Sequence, residues 1–235
     1  MIAIYKREMR SYFTTPLGYV FLGAYLAIAG AVFSYTTLFA QSASVTPFFT
    51  FMLYASVVLL PLLTMKLFSE DRKQRTEQLL LTAPISLYSL VAGKFLAAYT
   101  LYAGCTLVSF CNFFILYFYI EKVKTAVLFG NLLAILLLGM TFIAVGVFAS
   151  ALTENQLAAA IGTTAILVAF LGIGLLNSFI PVYWIRFVLS SLSVFTRFQN
   201  FGQGVFDIAA IFYYLTITAA FLFLTTRVFE KRRWG

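Results

Sequence analysis

The chain has eight acidic and sixteen basic side chains, two cysteines and no histidine. The missing histidine excludes histidine-based nucleophile triads and histidine-containing zinc motifs. The two aspartates, Asp71 and Asp207, lie in separate segments, which argues against a paired-carboxylate intramembrane protease. No phosphate-binding loop occurs: Gly93-Lys94 runs into Phe95 and lacks an upstream glycine at the right spacing. None of the acids falls inside an apolar stretch, so there is no membrane-buried carboxylate to couple an ion gradient. No catalytic residue, metal-ligand set or cofactor of its own is expected in this chain. If it moves a solute, the energy enters from outside the bilayer.

The chemistry that remains is a charged run, Phe68 to Pro84. Ser69 reads as its N-cap, with Glu70 and Asp71 in the first turn, where a helix dipole favours anions. Asp71 and Arg75 have the spacing of an i,i+4 pair. Pro84 stops the helix and Ser86 is placed to cap the next. Charge pattern alone leaves two readings open, a helix that docks on a soluble partner and a solvated loop helix.

The elements that must position this run are membrane spans. Of 235 residues, 62% are hydrophobic and only 10% charged, against roughly 25% charged in soluble chains, so lipid must be the solvent for most of the surface. Six stretches free of Asp, Glu, Lys and Arg are long enough to cross: 17–40, 48–65, 95–119, 126–149, 157–176 and 208–226. The fold class expected is an all-α membrane protein in one domain over 1–235, with no soluble domain of its own. Ser56, Ser109, Asn112, Asn131, Thr141, Thr163 and Thr164 are expected to hydrogen-bond between helices, with substrate contact as the alternative. Cys105 and Cys111 stand about 9 Å apart along one helix, too far for a disulfide, and read as packing residues. The net charge of +8 flanks the spans, so it speaks for a membrane and not for nucleic acid.

Twelve of the sixteen Lys and Arg fall in the N-terminal tail, the loop between spans two and three and the C-terminal tail. The other side holds Lys122, Lys124, Arg186 and Arg197. The richer side belongs in the cytoplasm, which puts both termini inside. Residues 1–16 repeat Ile2, Tyr5, Met9 and Tyr12 at helical spacing, as an interfacial helix would, with a plain charged flank as the alternative. Thr14-Thr15-Pro16 ends that pattern. Residues 177–207 are apolar and aromatic but carry Arg186 and Arg197, and read as a segment partly inserted into the outer leaflet or, at the cost of burying a charge, as a seventh span.

These residues resemble the permease subunits of type-2 ABC exporters. Glu70-Asp71-Arg72, Thr76, Leu79-Leu80 and Pro84, followed by Gly93-Lys94-Phe95, match that family's run after its second span. Arg75 stands where the family has glycine, and the second glutamate is shifted to Glu77. Ala149 to Gln156 is similar to the family's turn between spans four and five, and Ser191 to Tyr214 resembles the subgroup related to the bacterial gliding-motility permease. The resemblance implies a six-helix half-transporter in a bacterial plasma membrane. Its partners would be cytoplasmic ABC ATPase subunits that bind ATP and Mg, a second permease copy or paralogue, and an extracytoplasmic accessory protein. The stretch 68–84 would be the coupling helix, with Glu70, Asp71, Arg72, Lys73, Gln74, Arg75, Thr76 and Glu77 contacting the ATPase. Thr153, Glu154, Asn155 and Gln156 would make a second contact. The function implied is export of an unidentified substrate, and the alternative is a membrane anchor or force-transmitting component of an ATPase-driven assembly without solute transport.

Overall fold

Glycine and alanine set how closely the helices of this bundle approach. The computed structural model describes residues 1–41, 44–78, 86–114, 125–176, 184, 193–202, 204 and 207–234. The long helix α6 (Thr125–Leu152) is the most buried of the spans and packs against most of the others. A Cβ at Gly139 would overlap the Tyr102 ring, and one at Gly146 would overlap the Thr64 side chain. Small residues at such crossings substitute for the hydrophobic drive that lipid does not supply.

Around α6 stand α1 (Ile2–Thr14), α2 (Pro16–Phe33), α3 (Thr46–Thr64), α4 (Lys66–Lys73) and α5 (Leu87–Phe110). The chain continues through α7 (Gln156–Leu176), α8 (Val194–Gly202) and α9 (Ile208–Trp234). No strand occurs among the described residues. Among the described residues six helices are long and apolar enough to cross a membrane, as expected. Several run longer than their uncharged stretch. The third starts at Leu87, where the Ser86 hydroxyl accepts from the Ser89 amide at 3.3 Å, so Lys94 lies inside a span helix and not in a loop. The last continues through its basic tail to Trp234.

The two ends of the bundle differ in kind. One gathers the N-terminal helix, α4 and the C-terminal tail, and with them most of the charge. At the other, the described residues include an aromatic cluster: Phe33, Phe48, Phe49 and Phe113 form edge-on and stacked contacts at 5.0–6.3 Å. There α8 lies across the bundle, held by Thr46 Oγ1 donating to Gly202 O at 3.2 Å and by Tyr214 OH donating to Val194 O at 2.9 Å. Arg197 stacks 4.6 Å over Tyr213. Apart from Trp184, the rest of the stretch expected to insert partly, including Arg186, lies outside the described residues up to Ser193.

The segment 1–16 is helical over Ile2–Thr14 and breaks at the extended Thr15, with Ile2 exposed and Tyr12 buried against the bundle. One expectation needs correction. The span hydroxyls and amides mostly turn inward on their own helices. Ser56, Ser109, Asn131, Thr163 and Thr164 each donate to the carbonyl four residues back, while Thr141 also reaches Tyr214 O and Thr218. A carbonyl one turn away is always within reach and needs no partner helix. Both cysteines are free, Cys105 buried and Cys111 exposed.

Candidate functional site

Helix α4 continues from α3 through Met65, which keeps right-handed helical angles. Its helix therefore starts at Lys66, and Ser69 is not an N-cap. Ser69 is buried and its hydroxyl donates to Met65 O. The helix is also shorter than 68–84. It ends at Lys73, with Arg75 in the left-handed region at φ 59, and helical backbone resumes at Glu77-Gln78. Residues 79–85 lie outside the described part. Left-handed backbone after a helix is a glycine position, and this is the place where the family resemblance has glycine. The expected Asp71–Arg75 pair does not form, because Arg75 has left the helix.

The inward face of α4 is fixed by apolar and polar contacts together. Leu67 and Phe68 are buried, the Phe68 amide donates to Ser150 Oγ at 2.9 Å, and the Phe68 ring lies 4.7 Å from Phe229 of α9. Two arginines then close the C-terminus of α6, whose last carbonyls have no partner within the helix. Arg72 Nη1 donates to Leu152 O at 3.1 Å, and Arg232 Nη2 donates to Ala151 O at 2.6 Å. Cations at a helix C-terminus also meet the negative end of its dipole. Each arginine bonds a carboxylate as well, Arg72 to Glu154 at 3.0 Å and Arg232 to Glu77 at 3.0 Å.

The turn between α6 and α7 is built by its own side chains. Thr153 Oγ1 accepts from the Asn155 amide at 3.1 Å, and Asn155 Oδ1 accepts from the Leu157 amide at 2.9 Å, capping α7. Beside it opens a cleft of about 440 Å³ lined by Lys73, Glu154, Asn155, Gln156 and Leu157. The two sets of residues expected to meet a partner thus share one surface. Within it Lys73, Gln74, Arg75, Glu154 and Asn155 are exposed. Asp71, Arg72, Thr76 and Glu77 are partly covered and tied inward, Thr76 Oγ1 donating to Asp71 O at 3.1 Å.

Next to this surface, three elements converge on one ammonium group. Lys94 is 1% exposed, and its Nζ lies 2.7 Å from Asp71 Oδ2 of α4 and 3.1 Å from Glu8 Oε1 of α1. It also donates to Leu67 O and sits 5.0 Å over the Phe68 ring. Arg7 completes the group, 2.6 Å from Glu8 and 3.8 Å from Asp71. Two acids and two bases leave it neutral, which is what makes burial tolerable. Tyr12 donates to Leu63 O at 3.2 Å, and burial together with nearby Glu8 pushes its phenol up, so it stays protonated. An open pocket of about 270 Å³ borders the cluster, with Ser11, Lys66, Glu70 and Gln74 on its walls. Sequence reasoning found Asp71, quoted Lys94 as part of a matching run without giving it a role, and missed Glu8 and Arg232. The available signal for Lys94 was a lone cation that split an otherwise apolar helix from Leu87 onward.

Taken together, these features define an all-α, multi-pass membrane protein with one charged, structured end. The sequence profile of ABC-2 family transporter proteins matches residues 3–234, and the chain belongs to that family. It is accordingly a permease component of an ABC transporter, a class that works with separate ABC ATPase subunits. The match is to the family as a whole and does not single out the motility-related subgroup. No curated protein matches the chain significantly.

Proposed function

We propose that the charged end faces the cytoplasm of a bacterial cell and docks an ABC ATPase, which binds ATP and Mg and drives export through a pair of permease chains. The observation that carries this is the convergence of α4 and the α6–α7 turn on one exposed surface. Lys73, Gln74, Arg75, Glu154 and Asn155 make the contact. Asp71, Arg72, Thr76 and Glu77 hold that surface to the spans, so that a push on α4 reaches α3, α6 and α9. The abundance of Lys and Arg at this end supports the orientation. The alternative, an ATPase-driven anchor without solute transport, would use the same docking surface, and membership of a transporter family favours export over it.

The test is reversal of the two exposed cations. Lys73→Glu/Arg75→Glu leaves the buried contacts intact and should reduce co-purification of the ATPase at least tenfold. Normal recovery of the complex with unchanged hydrolysis would refute the docking surface.

A further inference from the structure

Helix α1 has no place in the docking surface as described, yet it is fastened to it with unusual care. Glu8 shares the ammonium of Lys94 with Asp71, and Arg7 reaches both acids. One turn away, Gly93 lets α1 lie directly on α5: a Cβ there would stand 3.1 Å from Ile4 Cβ. A helix that only floated on the membrane surface would not need a buried lysine, whose desolvation must be offset by its partners.

We propose that Lys94 is a positioning residue that clamps α1 to α4 and α5, so that the N-terminal helix moves with the docking helix as one working unit. The inference rests on the reading of α4 as the ATPase contact. Neutralising all three groups in Glu8→Gln/Lys94→Met/Asp71→Asn removes the clamp without leaving a buried charge unpaired, and Arg7 remains at the edge of the cluster. The Ile4/Gly93 contact then offers a replacement, because its separation is within about half an ångström of the Cβ–Cβ distances of disulfides. Ile4→Cys/Gly93→Cys, in a Cys105→Ser/Cys111→Ser background, would tie α1 to α5 under oxidation and free it under reduction.

The experiment measures ATP hydrolysis by the complex of the chain with its co-purifying ATPase in nanodiscs, above that of the ATPase alone. The neutral triple variant should lose this permease-dependent part at least fivefold. Adding the cysteine pair should restore it when oxidised and lose it again with reductant. Hydrolysis equal to the parent in the triple variant, or a deficit in hydrolysis or ATPase binding that the oxidised cross-link does not repair, would overturn the proposal. A second measurement does not depend on the triple variant folding. With Glu8, Asp71 and Lys94 intact, locking α1 to α5 by the same disulfide should leave hydrolysis within twofold, and arrest by the lock would overturn the clamp. The docking reading is judged separately, by ATPase retention in Lys73→Glu/Arg75→Glu.

Discussion

Arg72 Nε lies 3.0 Å from Glu154 Oε1, joining the helix after the second span to the turn after the fourth. The same side chain caps the α6 carbonyl at Leu152. These two roles differ in weight. The ion pair is exposed, and such pairs contribute roughly 0–1 kcal/mol, less in salt. The hydrogen bond from Arg72 to the orphan carbonyl is exposed too, and contributes less than the roughly 1.5–3 kcal/mol of a buried charge-assisted bond. Glu154→Gln should therefore lower stability by under about 0.5 kcal/mol, and Arg72→Ala, which removes both contacts, by about 1 kcal/mol. Unfolding of the detergent-solubilised protein at low and high salt separates the two, since only the first effect should fade with salt.

Arg75 occupies left-handed backbone at φ 59, a conformation that costs a side-chain-bearing residue on the order of 1 kcal/mol. Arg75→Gly should stabilise the isolated chain by about that amount while weakening ATPase recovery, because a docking cation is lost. A variant that unfolds earlier than the parent would contradict the assignment of strain there.

Lys94→Met leaves Glu8 and Asp71 covered, with Arg7 as the remaining cation of the cluster. Breaking a buried pair from one side costs about 3–5 kcal/mol, so this variant should be recovered poorly and unfold well below the parent. Glu8→Gln/Asp71→Asn/Lys94→Met should regain most of that loss. Equal stability of the single and triple variants, measured by thermal unfolding, would show that the charges are not coupled.

At Gly139 a new Cβ has nowhere to go, since it meets the Tyr102 ring, and Tyr102 is fixed by its 2.8 Å hydrogen bond to Ile135 O. Gly139→Val should separate α5 from α6 and cost at least about 2–3 kcal/mol, the upper range for overpacked cores. Gly23, whose Cβ would meet nothing, should tolerate alanine, and the pair of variants compared by thermal unfolding checks the crossing.

What could be read from the sequence was whatever depends on neighbours along the chain. The six apolar stretches, the Thr15-Pro16 break and the Ser86 cap are all local features, and all three are found. The extent of α4 and the place of Lys94 were misjudged because each depends on distant residues. Ser69 looks like an N-cap only while Met65 is assumed to leave the helix. Lys94 looks like a loop residue only while Glu8, 86 positions earlier in the chain, is assumed to lie elsewhere. The i,i+4 spacing of Asp71 and Arg75 failed for the same reason in reverse, because the helix stopped between them. For the candidate site, the two motif runs named nearly all the exposed residues, but Arg7, Lys94 and Arg232, which help to hold those runs together, come from other helices.

The central claim, that this end of the bundle carries the ATPase, is tested most directly by site-specific photo-crosslinking in native membranes. A photoreactive residue at Gln74, and separately at Asn155, should each yield an adduct with an ABC ATPase, while the same group at Phe39 of the opposite end should yield none. Absence of an ATPase adduct from both Gln74 and Asn155, with one forming at Phe39, would contradict the account.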